Sequence, residues 1–100
     1  MMITEGTLDL EIAKRFPASS LDALREYLIA SDRAGNEREV KHIAAFIEDL
    51  VTKAAYAVQD AAIVHVVQTI EPNDTTVLGA LGPSSRKWWR YHQMQNQVTT

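Results

Sequence analysis

Apolar residues recur along this chain at helical spacing. Leu8, Ile12 and Phe16 fall every fourth residue and share one face, which predicts a first helix over residues 7–16. Thr7 is placed to cap its start, and Pro17 ends it. Ser19-Ser20-Leu21-Asp22 then reads as a capping box with Ser19 at the cap, although Asp replaces the usual Glu or Gln. Leu21, Leu24, Leu28 and Ile29 form the stripe of a second helix, with Glu26, Asp32 and Arg33 facing away. Gly35 is its natural terminator, because glycine accepts a left-handed backbone.

Asn36, with Glu39 three residues on, opens the next helix, and neither Gly nor Pro interrupts the chain before Pro72. Residues 37–70 as one helix would span about 50 Å. A domain of this size has a radius of gyration of only about 13 Å, so a kink or break near Gln59-Asp60 is expected. One apolar stripe runs through Ile43, Ile47, Leu50, Ala54, Ala57 and Ala61. A second runs through Phe46, Val51, Ala55, Val58 and Ala62, and a polar one through Asp49, Thr52, Lys53, Tyr56 and Asp60. Beyond Asp60 the segment turns apolar on nearly every side, as in a core helix or one covered by a partner.

A second reading competes here. Residues 62–70 are rich in β-branched side chains, Glu71-Pro72-Asn73-Asp74 is a good turn, and Thr75–Leu78 can return as the second strand of a hairpin over 62–78. Gly79, Gly82 and Pro83 mark a loose connection, Pro83-Ser84-Ser85 then starts a last helix over residues 86–95, and residues 97–100 are expected to fray.

Composition narrows the picture. A chain of 100 residues with 46% hydrophobic positions builds one modest core, so residues 1–100 are read as a single domain. The net charge of −3 is neither that of a basic nucleic-acid binder nor that of a dense acidic mimic. With no cysteine there is no disulfide, thiolate nucleophile or Cys-ligated zinc. The opening residues do not resemble a signal peptide and no long apolar run is present, so a cytoplasmic protein without membrane contact is expected.

No residue pattern points to catalysis. The serine pairs at 19–20 and 84–85 are read as caps, and no nucleophile elbow, phosphate-binding loop or His-Glu-x-x-His occurs. Glu48-Asp49 is read as a solvated face. Glu39 and His42 have the Glu-x-x-His spacing of di-iron bundles, but those need a second motif and two further carboxylates. No metal or cofactor is therefore expected. His65, inside the apolar stretch, is read as a core or interface histidine satisfied by a backbone group. The second and third helices superficially suggest a helix-turn-helix, but Glu37 and Glu39 would open the recognition helix against phosphates, so a plain hairpin is expected.

The most unusual segment is Arg86-Lys87-Trp88-Trp89-Arg90-Tyr91-His92. It holds three of the ten basic residues and both tryptophans. Adjacent helical residues point about 100° apart, so one Trp enters the core and the other stays at an edge. Exposed Trp, Tyr and Arg anchor protein interfaces, and Trp89, Arg90 and their neighbours are taken as the anchors.

The expected fold is all-α: four or five helices around a long central helix. Leu8, Ile12, Leu24, Leu28, Phe46, Leu50, Val58, Val66 and one of Trp88 and Trp89 should form the core. The expected function is non-enzymatic: a small binding protein that blocks a host protein or nucleoprotein complex by steric occlusion. In size, mild acidity and lack of motifs the chain is similar in kind to phage-encoded inhibitors such as anti-CRISPR proteins, a likeness of general character that no motif carries. The alternatives are a nucleic-acid-binding regulator using residues 86–92, and a subunit self-assembling through the apolar surface of residues 61–70.

Overall fold

A computed structural model describes residues 2–98. They form an all-α bundle of six helices: α1 (Leu8–Arg15), α2 (Leu21–Arg33), α3 (Glu37–Lys53), α4 (Tyr56–His65), α5 (Thr75–Ala80) and α6 (Pro83–Val98). A single 3-10 turn, Val67–Thr69, follows α4. No helix among the described residues is long and apolar enough to cross a membrane.

The first three helices follow the local pattern with small shifts in their caps. Thr7 occupies the cap position of α1, but its hydroxyl does not cap; it turns back and accepts the Thr4 N–H at 3.0 Å. Phe16 leaves α1 in an extended conformation, as the following proline requires. Ser20, not Ser19, caps α2, its hydroxyl oxygen accepting the Ala23 N–H at 3.1 Å. Either serine satisfies the spacing rule within one residue; Leu21 decides, because it must open the buried stripe. Gly35 takes φ +73° after α2, and Asn36 caps α3 by accepting the Glu39 N–H at 3.2 Å. Helices α2 and α3 are consecutive and pack on each other.

The long segment breaks earlier than Gln59-Asp60. Helix α3 ends at Lys53, and Ala54 and Ala55 adopt extended backbone with ψ of 170° and 150°. A continuous helix would overrun the molecule's longest dimension of 39 Å. Alanine is the strongest helix former, so nothing local selects this point. One tertiary and one local hydrogen bond hold it: the freed Ala55 N–H donates to the Ile3 carbonyl at 2.8 Å. The Gln59 side-chain amide donates to the Ala54 carbonyl at 2.9 Å. Gln59 is thus the residue that secures the break rather than its site. The break also shifts the register, so that Ala57 of the first stripe is exposed while Val58 and Ala62 are buried.

The hairpin over 62–78 does not form. Residues 62–65 continue α4, and Thr75–Leu78 belong to α5. The β-branched side chains of Ile63, Val66, Val67 and Ile70 enter the core instead, which a free-standing hairpin could not arrange. Most of the surface expected to drive self-assembly is therefore interior. His65 is not a core histidine: it is exposed at the C-terminal end of α4, because its neighbours Val66 and Ala62 take the inward positions.

Helix α3, about 25 Å long by its 17 residues, is the central element and packs on α2, α4, α5 and α6. Its residues Val40, Ile43, Ile47 and Leu50 are almost wholly excluded from solvent. Leu8, Ile12, Leu24, Leu28, Phe46, Val58 and Val66 join them as expected. Truncating any one of the larger members to alanine should cost about 2–5 kcal/mol.

Candidate interaction surface

Helix α6 starts three residues before the predicted Arg86, because Pro83 fits the first helical turn, where its missing N–H costs nothing. The next two N–H groups are capped from across the fold. Glu48 of α3 accepts the Ser84 N–H at 3.1 Å and the Ser85 N–H at 2.9 Å. The Ser85 hydroxyl, fully buried, donates to the same carboxylate at 2.9 Å. Burial pushes the Glu48 carboxyl up, but the Ser85 and Ser84 hydrogen bonds outweigh it and hold the carboxyl below its ordinary range. Glu48 is thus a structural clamp, and the serine pair is capped by it rather than capping; only Asp49 of the pair is solvated.

The rest of residues 86–92 divide between structure and surface. Arg86 turns inward and donates to the Leu81 carbonyl at 3.0 Å and the Gly79 carbonyl at 3.3 Å, closing the end of α5. Trp89 packs against the core and its indole N–H donates to the Ile70 carbonyl at 2.9 Å, pinning α6 to the end of the 3-10 turn. His92 is half-buried. Lys87, Trp88, Arg90 and Tyr91 are exposed.

Trp88 and Tyr91 pair edge to face, with ring centroids 6.1 Å apart. They line one side of a groove of about 160 Å³. The opposite side comes from α4, with Tyr56, Asp60 and Val64 among its lining residues. Exposure is high for apolar side chains: Trp88 41%, Tyr91 55%, Val64 45% and Tyr56 84%. These values put an aromatic and aliphatic surface in solvent, of the kind that marks interaction sites. The apolar character of α4 on all sides is divided accordingly, one face in the core and one along this groove.

The α4 side of this surface is not apparent from the pattern, where Tyr56 falls on a polar stripe. A second feature is visible in the chain once α6 is known to be the outer wall. None of the 13 acidic residues lies beyond Asp74. Three of the ten basic residues do, leaving seven basic against 13 acidic residues and a net −6 over residues 1–74.

Elsewhere, Glu39 accepts from the Tyr27 hydroxyl, and its other oxygen lies 2.9 Å from Nδ1 of His42. The Tyr27 and His42 contacts hold the Glu39 carboxyl below its ordinary range, and Glu39 in turn raises the Tyr27 phenol. Glu39 of the Glu-x-x-His pair therefore ties α2 to α3 through Tyr27, and His42 braces its other oxygen within α3. Among the described residues, no three His, Asp or Glu side chains are grouped to hold a metal ion.

The chain belongs to the family described as Domain of unknown function (DUF7674), whose model matches residues 4–96. No curated protein and no solved structure matches it.

Proposed function

We propose that this member of the DUF7674 family works by binding another protein, with the α4–α6 face as its contact surface. The exposed Trp88–Tyr91 pair, set beside Tyr56 and Val64, carries the reading. Large aromatic side chains held in place by a rigid helix supply contact area at low entropic cost, and Trp, Tyr and Arg dominate interface energetics. Trp89 and Arg86, committed to the fold, support that surface from behind; Trp88, Tyr91, Lys87 and Arg90 are its working residues. Such a surface acts by steric occlusion, covering what the partner would otherwise bind. The partner is a protein or nucleoprotein complex in the cytoplasm.

The test is affinity capture from a lysate of the native host, with a Trp88→Ala/Tyr91→Ala variant as control. Circular dichroism first establishes that the control is folded. A complex retained by the wild type and lost by the folded variant is the expected result. The same proteins recovered with both would overturn the reading.

A second reading follows from Lys87 and Arg90 lying on one side of the exposed Tyr91 ring, on a segment without acidic residues. Those groups suit phosphates and an unpaired base. It predicts binding to mixed DNA or RNA at low salt that falls steeply as salt rises.

A further inference from the structure

The α4–α6 face has a charge order that determines what fits it. Along α4, Tyr56, Asp60 and Val64 lie one turn apart on the exposed side, and α4 holds no Lys or Arg. Around α6, at about 100° per residue, Tyr91 lies beside Trp88, and Lys87, Met94 and Arg90 follow on the side of Tyr91 away from Trp88. All of these are exposed. Ser85 and Trp89, on the other flank of Trp88, point into the fold. The surface therefore runs from an acidic edge at Asp60, through an aromatic centre at Trp88 and Tyr91, to a basic edge at Lys87 and Arg90. Among the described residues, none of these three charged side chains makes an ion pair within its own chain.

A stripe ordered negative, apolar, positive is complementary to itself. Rotation by 180° about an axis through its centre sets each acidic edge against the other copy's basic edge and stacks the two aromatic centres. That is the isologous contact by which most dimers form, and it closes at two copies.

We infer that the occupant of the α4–α6 face is a second copy of this chain, related by a two-fold axis passing near Trp88 and Tyr91. The inference rests on the proposal that this face is the contact surface, and the second copy occupies it in exchange with the partner that it occludes. The face is small. Helix α6 is about 24 Å long and α4 about 15 Å, so the pair offers less than the roughly 800 Å² per partner of a standard interface. A dimer dissociating in the micromolar range, about 1–100 μM, is expected.

Sedimentation equilibrium from about 1 μM to about 0.5 mM, a range bracketing such constants, tests this. The wild type should pass from monomer to dimer and no further. Asp60→Lys should weaken self-association about tenfold or more, as should Lys87→Glu/Arg90→Glu, by setting like charges face to face. Combining all three should restore it to within about threefold, since the swapped edges are again complementary. These positions are exposed, and circular dichroism with urea unfolding confirms that each variant is folded. A wild type that stays monomeric throughout overturns the inference, as do a higher oligomer, a dimer indifferent to the reversals, or a monomer that binds oligonucleotides instead. A monomer that still loses a captured protein on Trp88→Ala/Tyr91→Ala overturns the second copy alone. A monomer that loses none overturns the contact surface as well.

Discussion

Oε1 of Glu48 receives both the backbone N–H and the hydroxyl of Ser85, each at 2.9 Å, from 37 residues away along the chain. One carboxylate thereby caps the helix that carries the exposed aromatic pair and fixes it to the central helix. The position of Trp88 and Tyr91 relative to α4 depends on this joint.

Removing the joint should cost stability in a pH-dependent way. Glu48→Ala deletes three charge-assisted hydrogen bonds, one to a buried hydroxyl, and should destabilise the fold by about 2–3 kcal/mol at pH 7. The carboxyl is held below its ordinary 4.5 in the folded state. Its contribution is therefore fully present above that value and fades as pH falls through the lowered folded value. Urea unfolding at pH 7 and at about pH 3 should show the gap between wild type and variant shrinking in acid. A gap of equal size at both would mean that the lost stability is packing, not charge.

Gly82 is small for the sake of the same carboxylate. A Cβ at this position would lie 2.5 Å from Cδ of Glu48. The side chain can swing away, so Gly82→Ala should act by uncapping α6 and cost about 1–2 kcal/mol. In a double-mutant cycle the two losses should fall short of additive by about 1 kcal/mol or more, because Glu48→Ala already removes the obstacle. Additive losses would place the glycine's role elsewhere.

The adjacent tryptophans should respond oppositely. Trp89→Phe keeps a ring against the core but leaves the Ile70 carbonyl without its indole donor, and should cost about 1–2 kcal/mol in urea unfolding. Trp88→Ala should change stability by no more than about 0.5 kcal/mol. If Trp88→Ala proved the more damaging, α6 would be rotated from the arrangement described.

Gln59→Ala should loosen the α3–α4 joint. It leaves the Ala54 carbonyl without its side-chain donor and is expected to cost about 1 kcal/mol. Hydrogen exchange at the Ala55 amide, which donates to Ile3, should quicken along with it. Unchanged exchange there would show that the Ile3 contact alone holds the break.

Local chemistry is what a sequence displays most openly. The spacing of Leu8 and Ile12, of Leu24 and Leu28, and of Ile43, Ile47 and Leu50 determined that α1, α2 and α3 are helices and which faces they bury. Asn36 and Gly35 marked the α2–α3 boundary because capping and left-handed backbone act within a few residues. That one tryptophan points in and its neighbour out also follows from helix geometry alone. Which one does so was decided only by the Ile70 carbonyl, 19 residues away. The same holds for the break at Ala54-Ala55, where two strong helix formers yield to the hydrogen bond that the Ala55 N–H donates to the Ile3 carbonyl, 52 residues away. It holds too for Glu48, which reads as half of a solvated pair until α6 arrives against it. In each case the deciding partner is distant along the chain, and its bond outweighs a local preference worth less than about 1 kcal/mol.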